Sequence, residues 1–243
     1  MRHCIVGDVH GEYTALLNLI AKAPKRTKFI FVGDLIDRGR YSAQVISFVR
    51  KNKFLCVKGN HEEMMIEYGT AFISSIENHT AIDQDNKWLR HGGRETLLSY
   101  GLVTVKGKEL IPHAFIKEFL FLFKEDINWL KSLPLYLELD AEHVSKRKVI
   151  VSHAAIASVW DIRESINDFE AFKEAVLWNR TKPIDSHNIF NVFGHTPQAY
   201  TADMKAHYVN IDTGCYIKGK KGYGLLSAYC VESGEVYSSS DIN

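Results

Sequence analysis

The sequence predicts an α/β fold, and three observations lead there. Three short apolar runs near the start, His3–Val6, Phe29–Val32 and Phe54–Val57, each end in a glycine-bearing polar turn. Residues at helical spacing follow each turn. Strand-like runs return in the second half, at Leu135–Leu139, Val149–Ser152, Ile189–Phe193, Tyr208–Ile211, Gly224–Val231 and Glu235–Ser238. Strand, polar turn and helix repeated in this way make βα units, which deliver their polar groups from one sheet edge.

Composition narrows the class. The chain has 243 residues, 46% hydrophobic and 24% charged, with a net charge of +1. A soluble globular protein has this balance, and it gives no bulk charge for nucleic acid or a membrane surface. No apolar run approaches the ~20 residues of a membrane helix. The first residues lead straight into a core strand, so we expect no signal peptide; a cytoplasmic protein, and a monomer, are further expectations. Cys4, Cys56, Cys215 and Cys230 are scattered, and buried free thiols are the expectation. Residues 1–243 are expected to form one catalytic domain.

In chain order, the first strand ends in Gly7-Asp8-Val9-His10-Gly11. Residues i and i+2 of extended backbone face one side, so Asp8 and His10 can address one point. Tyr13, Leu16, Leu17 and Ile20 then mark a helix. The second strand ends in Gly33-Asp34-Leu35-Ile36-Asp37-Arg38-Gly39, and Ser42 is a candidate cap for the helix of Val45, Ile46 and Val49. The third ends in Gly59-Asn60-His61-Glu62, ahead of Met64, Met65 and Tyr68. Residues 71–133 read as a mainly helical insertion, or cap, bordering the site. Within it Pro112 fits the first turn of a helix that carries Phe115, Phe119 and Leu122 on one face. Leu135–Leu139 and Val149–Ser152 form a hairpin ahead of His153; a helix over Phe169–Leu177 leads to Trp178-Asn179-Arg180. The remaining strands end in Gly194-His195-Thr196-Pro197 and Asp212-Thr213-Gly214, and Ser233-Gly234 turns the last hairpin.

The polar strand-end groups Asp8, His10, Asp34, Asn60, His153 and His195 form a ligand set without sulfur. Such a set suits Mn²⁺, Fe or Zn²⁺, and it is too large for one tetrahedral ion. Two ions sharing a carboxylate fit it, with Asp34 as the bridge because it comes from the central turn. Two adjacent cations would activate water as a hydroxide for in-line attack on phosphorus without a phosphoenzyme. Arg38 and Arg180 could hold phosphoryl oxygens. His61, next to a ligand, is placed as the general acid, with Asp37 orienting it. The other histidines (His3, His79, His91, His113, His143, His187 and His207) read as structural or surface groups. Gly214–Lys220 nearly matches a phosphate-binding loop, but Lys221 stands where Ser or Thr would hold Mg²⁺.

Taken together, the Gly7–Gly11, Gly33–Gly39 and Gly59–Glu62 motifs resemble the phosphoprotein phosphatase branch of the calcineurin-like metallophosphoesterases. Ser152-His153-Ala154, Trp178-Asn179-Arg180 and Gly194–Pro197 extend the likeness over nearly the whole chain. The surroundings of Gly59–Ile66 and Ile211–Gly214 are most similar to the bacteriophage-lambda-type and bacterial serine/threonine protein phosphatases. The resemblance implies a four-layer αββα sandwich with a dinuclear site, commonly active with Mn²⁺. It gives Asp8, His10 and Asp34 to one ion, and Asp34, Asn60, His153 and His195 to the other. It also implies a phosphoprotein or phosphopeptide substrate, on serine or threonine and by extension tyrosine. Diadenosine tetraphosphate hydrolysis is the alternative, since that group shares the core motifs. A dinucleotide would need a stacking aromatic and a second basic patch, for which Trp88, Tyr216 and Lys218–Lys221 are candidates. Lys58 stands where many relatives have arginine, and the C-terminal extension of the eukaryotic enzymes is missing.

Overall fold

The computed structural model describes residues 2–239. Strand β1 (Arg2–Val6), helix α1 (Tyr13–Lys22), β2 (Thr27–Phe31), α2 (Ser42–Lys51), β3 (Leu55–Cys56) and α3 (Asn60–Glu77) are the three expected βα units. The insertion follows: a π-helical turn (Leu89–Gly93), α4 (Arg94–Ser99), β4 (Val103–Lys106), β5 (Glu109–Pro112) and α5 (Ile116–Lys131). Next come β6 (Tyr136–Leu139), β7 (Lys148–Ser152), a 3₁₀ turn (Ala157–Ile162) and α6 (Phe169–Trp178). The chain closes with β8 (Ile189–Phe193), β9 (Asp203–Lys205), β10 (Tyr208–Asn210), β11 (Ser227–Cys230) and β12 (Glu235–Ser238).

Two mixed sheets result, ordered β12-β11-β1-β2-β3 and β6-β7-β8-β10-β9. They pack face to face, and Ile5, Ile30, Val32 and Val57 of the first meet Val149, Val151, Val192 and Val209 of the second. All eight are fully buried, each contributing about 1.5–3 kcal/mol of transfer free energy. The outer face of the first sheet takes α1, α2, α3 and the insertion. The outer face of the second takes α6 and the 3₁₀ turn, through Ile150, Ile189, Trp160, Phe172 and Val176. The architecture is an α/β sandwich of layers α, β, β and α, with helical insertions.

The structure corrects several local expectations. Residue 42 is the first helical residue and Tyr41 the cap position; the Ser42 hydroxyl accepts the Asp37 N–H instead. The insertion contains a hairpin, β4–β5, which registers Val103 against Pro112. Pro112 therefore ends a strand and precedes α5 by several residues. On α5, Phe115, Phe119 and Leu122 are 61%, 39% and 49% exposed, while Ile116, Leu120, Phe123 and Ile127 are buried. The two stripes are offset by one residue. The longer one wins because it packs on α3 at Gly69, where an added Cβ would meet Ile127 at 3.0 Å and Phe123 at 3.1 Å. Cys4 and Cys230 face each other across β1 and β11, Cα atoms 4.2 Å apart, and form a disulfide. The expectation of free thiols holds for Cys56 and Cys215, both buried. Among the described residues no helix is long and apolar enough to cross a membrane.

Candidate active site

Strands β1, β2 and β3 run parallel, as do β7, β8 and β10. Their carboxyl ends open on one edge of the sandwich, where open α/β sheets place ligands. His10 follows β1, Asp34 follows β2, and Asn60 and His61 begin α3. His153 directly follows β7, His195 lies just beyond β8, and Asp212 just beyond β10.

The turns are laced together through the backbone. The Asp34 carbonyl accepts the N–H groups of both Val9 (3.0 Å) and His10 (2.9 Å), and the His10 carbonyl accepts that of Gly39 (2.9 Å). His10, Asp34, Asp37, Arg38 and His195 all adopt left-handed backbone, with φ between 46° and 72°. Each costs roughly 1–3 kcal/mol, which the surrounding structure must repay. His10 is thus turned towards the site by a strained φ and not by the i, i+2 alternation of a strand. Glu62 locks two turns at once: its carboxylate accepts the N–H groups of Asp34 (2.7 Å), Leu35 (2.8 Å) and Gly59 (2.8 Å).

Two groups of side chains could each hold an ion: His10, Asp34 and His61, and Asp34, His153 and His195. Asp34 belongs to both. Its Oδ2 lies 3.6 Å from His10 Nε2, and its Oδ1 3.5 Å from His153 Nε2. Asn60 joins the second group, with Oδ1 2.8 Å from His153 Nε2 and 3.0 Å from His195 Nδ1. Asp8, 2% exposed, receives the His195 N–H at 3.1 Å and belongs to neither group.

The donor set fits cations. His10 and His153 each spend Nδ1–H on a backbone carbonyl, Ile36 and Val32, both at 2.9 Å. That tautomer leaves each Nε2 as a bare lone pair, fixed by its outer partner. Lone pairs of His153, Asn60 and Asp34 then converge with no proton between them, an arrangement that a cation relieves. Burial pushes His10 and His153 below the ordinary imidazole range and His195 down to about 3, keeping them in the neutral, ligating form. Burial, with the charges of Asp212 and Asp34 next, pushes the Asp8 carboxyl up.

His61 differs from these three. Burial alone would lower its pKa, but the Asp34 charge and the Asp37 hydrogen bond outweigh burial and raise it. Its Nδ1 lies 2.6 Å from Asp37 Oδ2, and Arg38 Nη2 stands 3.2 Å from its Nε2. The Arg38 guanidinium carbon sits 4.1 Å from the centre of the Tyr216 ring. Arg180 donates to the His195 carbonyl at 3.5 Å. Arg38, Arg180, His91, Trp178, Pro197, Asp212 and Tyr216 enclose, with His10, Asp34, Asn60, His61 and His195, a cavity of about 110 Å³.

The sequence did not single out Glu62, Asp212 or Thr96 for the site. Glu62 had one readable signal, the glutamate three residues after a helix start that reaches back to the cap N–H. Burial pushes both Asp212 and Glu62 up to about 7. Trp88, a candidate stacking platform, is 1% exposed and donates its indole N–H to Asp37 at 3.0 Å. Of the basic run, Lys218 reaches Glu12 at 3.1 Å and Lys220 lies over Tyr223. Lys58 pairs with Glu63.

Known proteins resemble this chain in sequence and in fold. Residues 1–208 match the model of the calcineurin-like phosphoesterase family. Serine/threonine-protein phosphatase 1 of Salmonella typhimurium is 27% identical over 89% of this chain and 88% of its own. The asymmetrical bis(5'-nucleosyl)-tetraphosphatase PrpE of Anoxybacillus flavithermus is 26% identical over 90% of this chain and 88% of its own. A solved serine/threonine phosphatase from Saccharomyces cerevisiae superposes with a TM-score of 0.61 at 14% identity, over 100% of this chain and 81% of that one, a likeness of fold. With a dinuclear ligand set at the strand ends of an αββα sandwich, and the family match covering most of its length, the chain belongs to the calcineurin-like phosphoesterases, metal-dependent hydrolases.

Proposed function

We propose that the chain hydrolyses phosphomonoesters on protein serine and threonine, and by extension tyrosine. Asp8, His10 and Asp34 would hold one divalent cation, and Asp34, Asn60, His153 and His195 the other, with Mn²⁺ first and Fe or Zn²⁺ next. When bound, the pair would supply Lewis acidity and a water acidified towards neutral pH. Arg38 and Arg180 bind the phosphoryl oxygens through charge-assisted hydrogen bonds. His61 gives its Nε2 proton to the leaving alkoxide while Asp37 holds Nδ1–H. The Asp37 carboxylate at His61 Nδ1 supports this role, because with the Asp34 charge it favours the protonated imidazole.

The size of the cavity supports the phosphomonoester reading. About 110 Å³ admits a phosphoryl group and its ester atoms, against the ~300 Å³ and more that usually encloses a drug-sized ligand. Trp88 and Lys218, proposed from sequence for a dinucleotide, are engaged elsewhere. Two observations favour the dinucleotide reading: Tyr216, also proposed from sequence, lines the cavity, and Trp178 lines it with the Lys87 ammonium 4.2 Å from its ring, a pair able to meet a base or a second phosphate. Initial rates with added Mn²⁺ on a phosphoserine peptide and on diadenosine tetraphosphate test the choice. We expect a clear preference for the peptide; a clear preference for the dinucleotide would reverse the assignment.

A further inference from the structure

Asp37 is fully buried, yet its carboxylate has more to do than face His61. Beyond His61 Nδ1 on Oδ2, the Trp88 indole N–H lies 3.0 Å from both oxygens, and the Thr96 hydroxyl donates to Oδ1 at 2.7 Å. The same Thr96 oxygen accepts the Asp37 backbone N–H at 3.1 Å. Trp88 and Thr96 both belong to the insertion. The segment between them also closes on the neighbouring residue: the Arg38 N–H donates to the Gly92 carbonyl at 3.2 Å. Gly93 admits the indole, since a Cβ there would meet indole Cε2 at 2.5 Å.

We propose that Trp88 and Thr96 are positioning residues for the acid dyad, holding the Asp37 carboxylate in the one orientation from which it fixes His61. The proposal rests on the reading of His61 as the general acid. With donors on three sides the carboxylate cannot rotate about its Cβ–Cγ bond. Without the indole N–H and the hydroxyl it keeps one partner, and the imidazole loses the brace that aims Nε2 at the leaving group. The insertion then completes the catalytic geometry in addition to bordering the site. Groups that orient a reacting side chain in this way are commonly worth about 10–100-fold.

The test separates acid catalysis from everything else. An alkyl phosphate needs its leaving oxygen protonated, whereas 4-nitrophenyl phosphate releases 4-nitrophenolate, already a stable anion. Trp88→Phe, Thr96→Val, Thr96→Ser and His61→Asn are compared on both substrates, with bound metal and thermal melting measured on each. We expect Trp88→Phe and Thr96→Val to lose about 10–100-fold in kcat on the alkyl phosphate. On 4-nitrophenyl phosphate they should stay within about threefold, with KM and bound metal unchanged, and Thr96→Ser should restore the alkyl rate. Equal losses on both substrates, or no loss on either, would overturn the clamp while His61→Asn keeps its split. If His61→Asn also shows no split, the acid assignment falls and the clamp with it. Should Trp88→Phe not fold, the Thr96 pair decides alone.

Discussion

Four histidines lie within a few ångströms of Asp34, and burial treats them alike while their partners do not. His10 and His153 are bonded to backbone carbonyls, His61 to a carboxylate. That difference predicts distinct mutant behaviour. His61→Asn should keep two bound ions and lose about 10²–10⁴-fold on alkyl phosphates, measured by elemental analysis and steady-state rates. Asp34→Asn should weaken both ions together, because its two oxygens face different groups; two tightly held ions in that variant would remove the bridging role. Glu62→Gln leaves at least one of three buried N–H groups without a carboxylate oxygen, and should lower the unfolding free energy by about 1–3 kcal/mol in urea titration. The proposed ligands were read from sequence by their place at strand ends near glycine or alanine, and His61 with Asp37 by the position of His61 next to Asn60. Asp212 was read only as a strand end, and the partners of Glu62 include backbone groups 27 and 28 residues away, which no local pattern announces.

At the scale of elements, the βα units and the presence of a helical insertion were legible, and the insertion's internal arrangement was not. Strand-turn-helix periodicity identifies α1, α2 and α3 directly. On α5 two apolar stripes compete, and only packing against Gly69 chooses between them. The β4–β5 hairpin carries short strands with exposed residues, so it lacks the apolar run that marks a core strand. Beside Trp88 and Thr96, Gly92 ties the insertion to the site at φ 108°, where a Cβ would lie 2.5 Å from Arg38 N. Gly92→Ala should therefore displace the Asp37–Arg38 turn and lower kcat by about 10–100-fold, read from steady-state rates beside an unchanged far-ultraviolet spectrum.

The whole molecule concentrates acidic groups at one buried edge, which makes its stability depend on pH and on cations. Asp212 and Glu62 are raised to about 7 by burial, so between the ordinary carboxylate range and pH 7 the native chain holds more protons than the unfolded one. Stability of the metal-free protein from these two groups is then full below about pH 4 and is lost as pH rises through 7. Melting temperatures of chelator-treated protein between pH 5 and 8 should fall from these groups, and Asp212→Asn should flatten the slope. Added Mn²⁺ should oppose the fall by supplying the charge that the carboxylates lack. The sandwich itself was foreseen through family resemblance, since the pairing of two sheets depends on contacts between residues as distant as Ile5 and Val209. The Cys4–Cys230 bridge was missed for the same reason, its partners being 226 residues apart.

The central claim is a dinuclear, metal-dependent phosphoesterase site shared across Asp34. It is tested most directly by titrating Mn²⁺ into chelator-treated protein while following both ions bound per chain and the rate on 4-nitrophenyl phosphate. The account predicts two ions per chain and a rate that reaches its plateau only as the second binds. A single bound ion at full rate, or full activity in the metal-free protein, would contradict it.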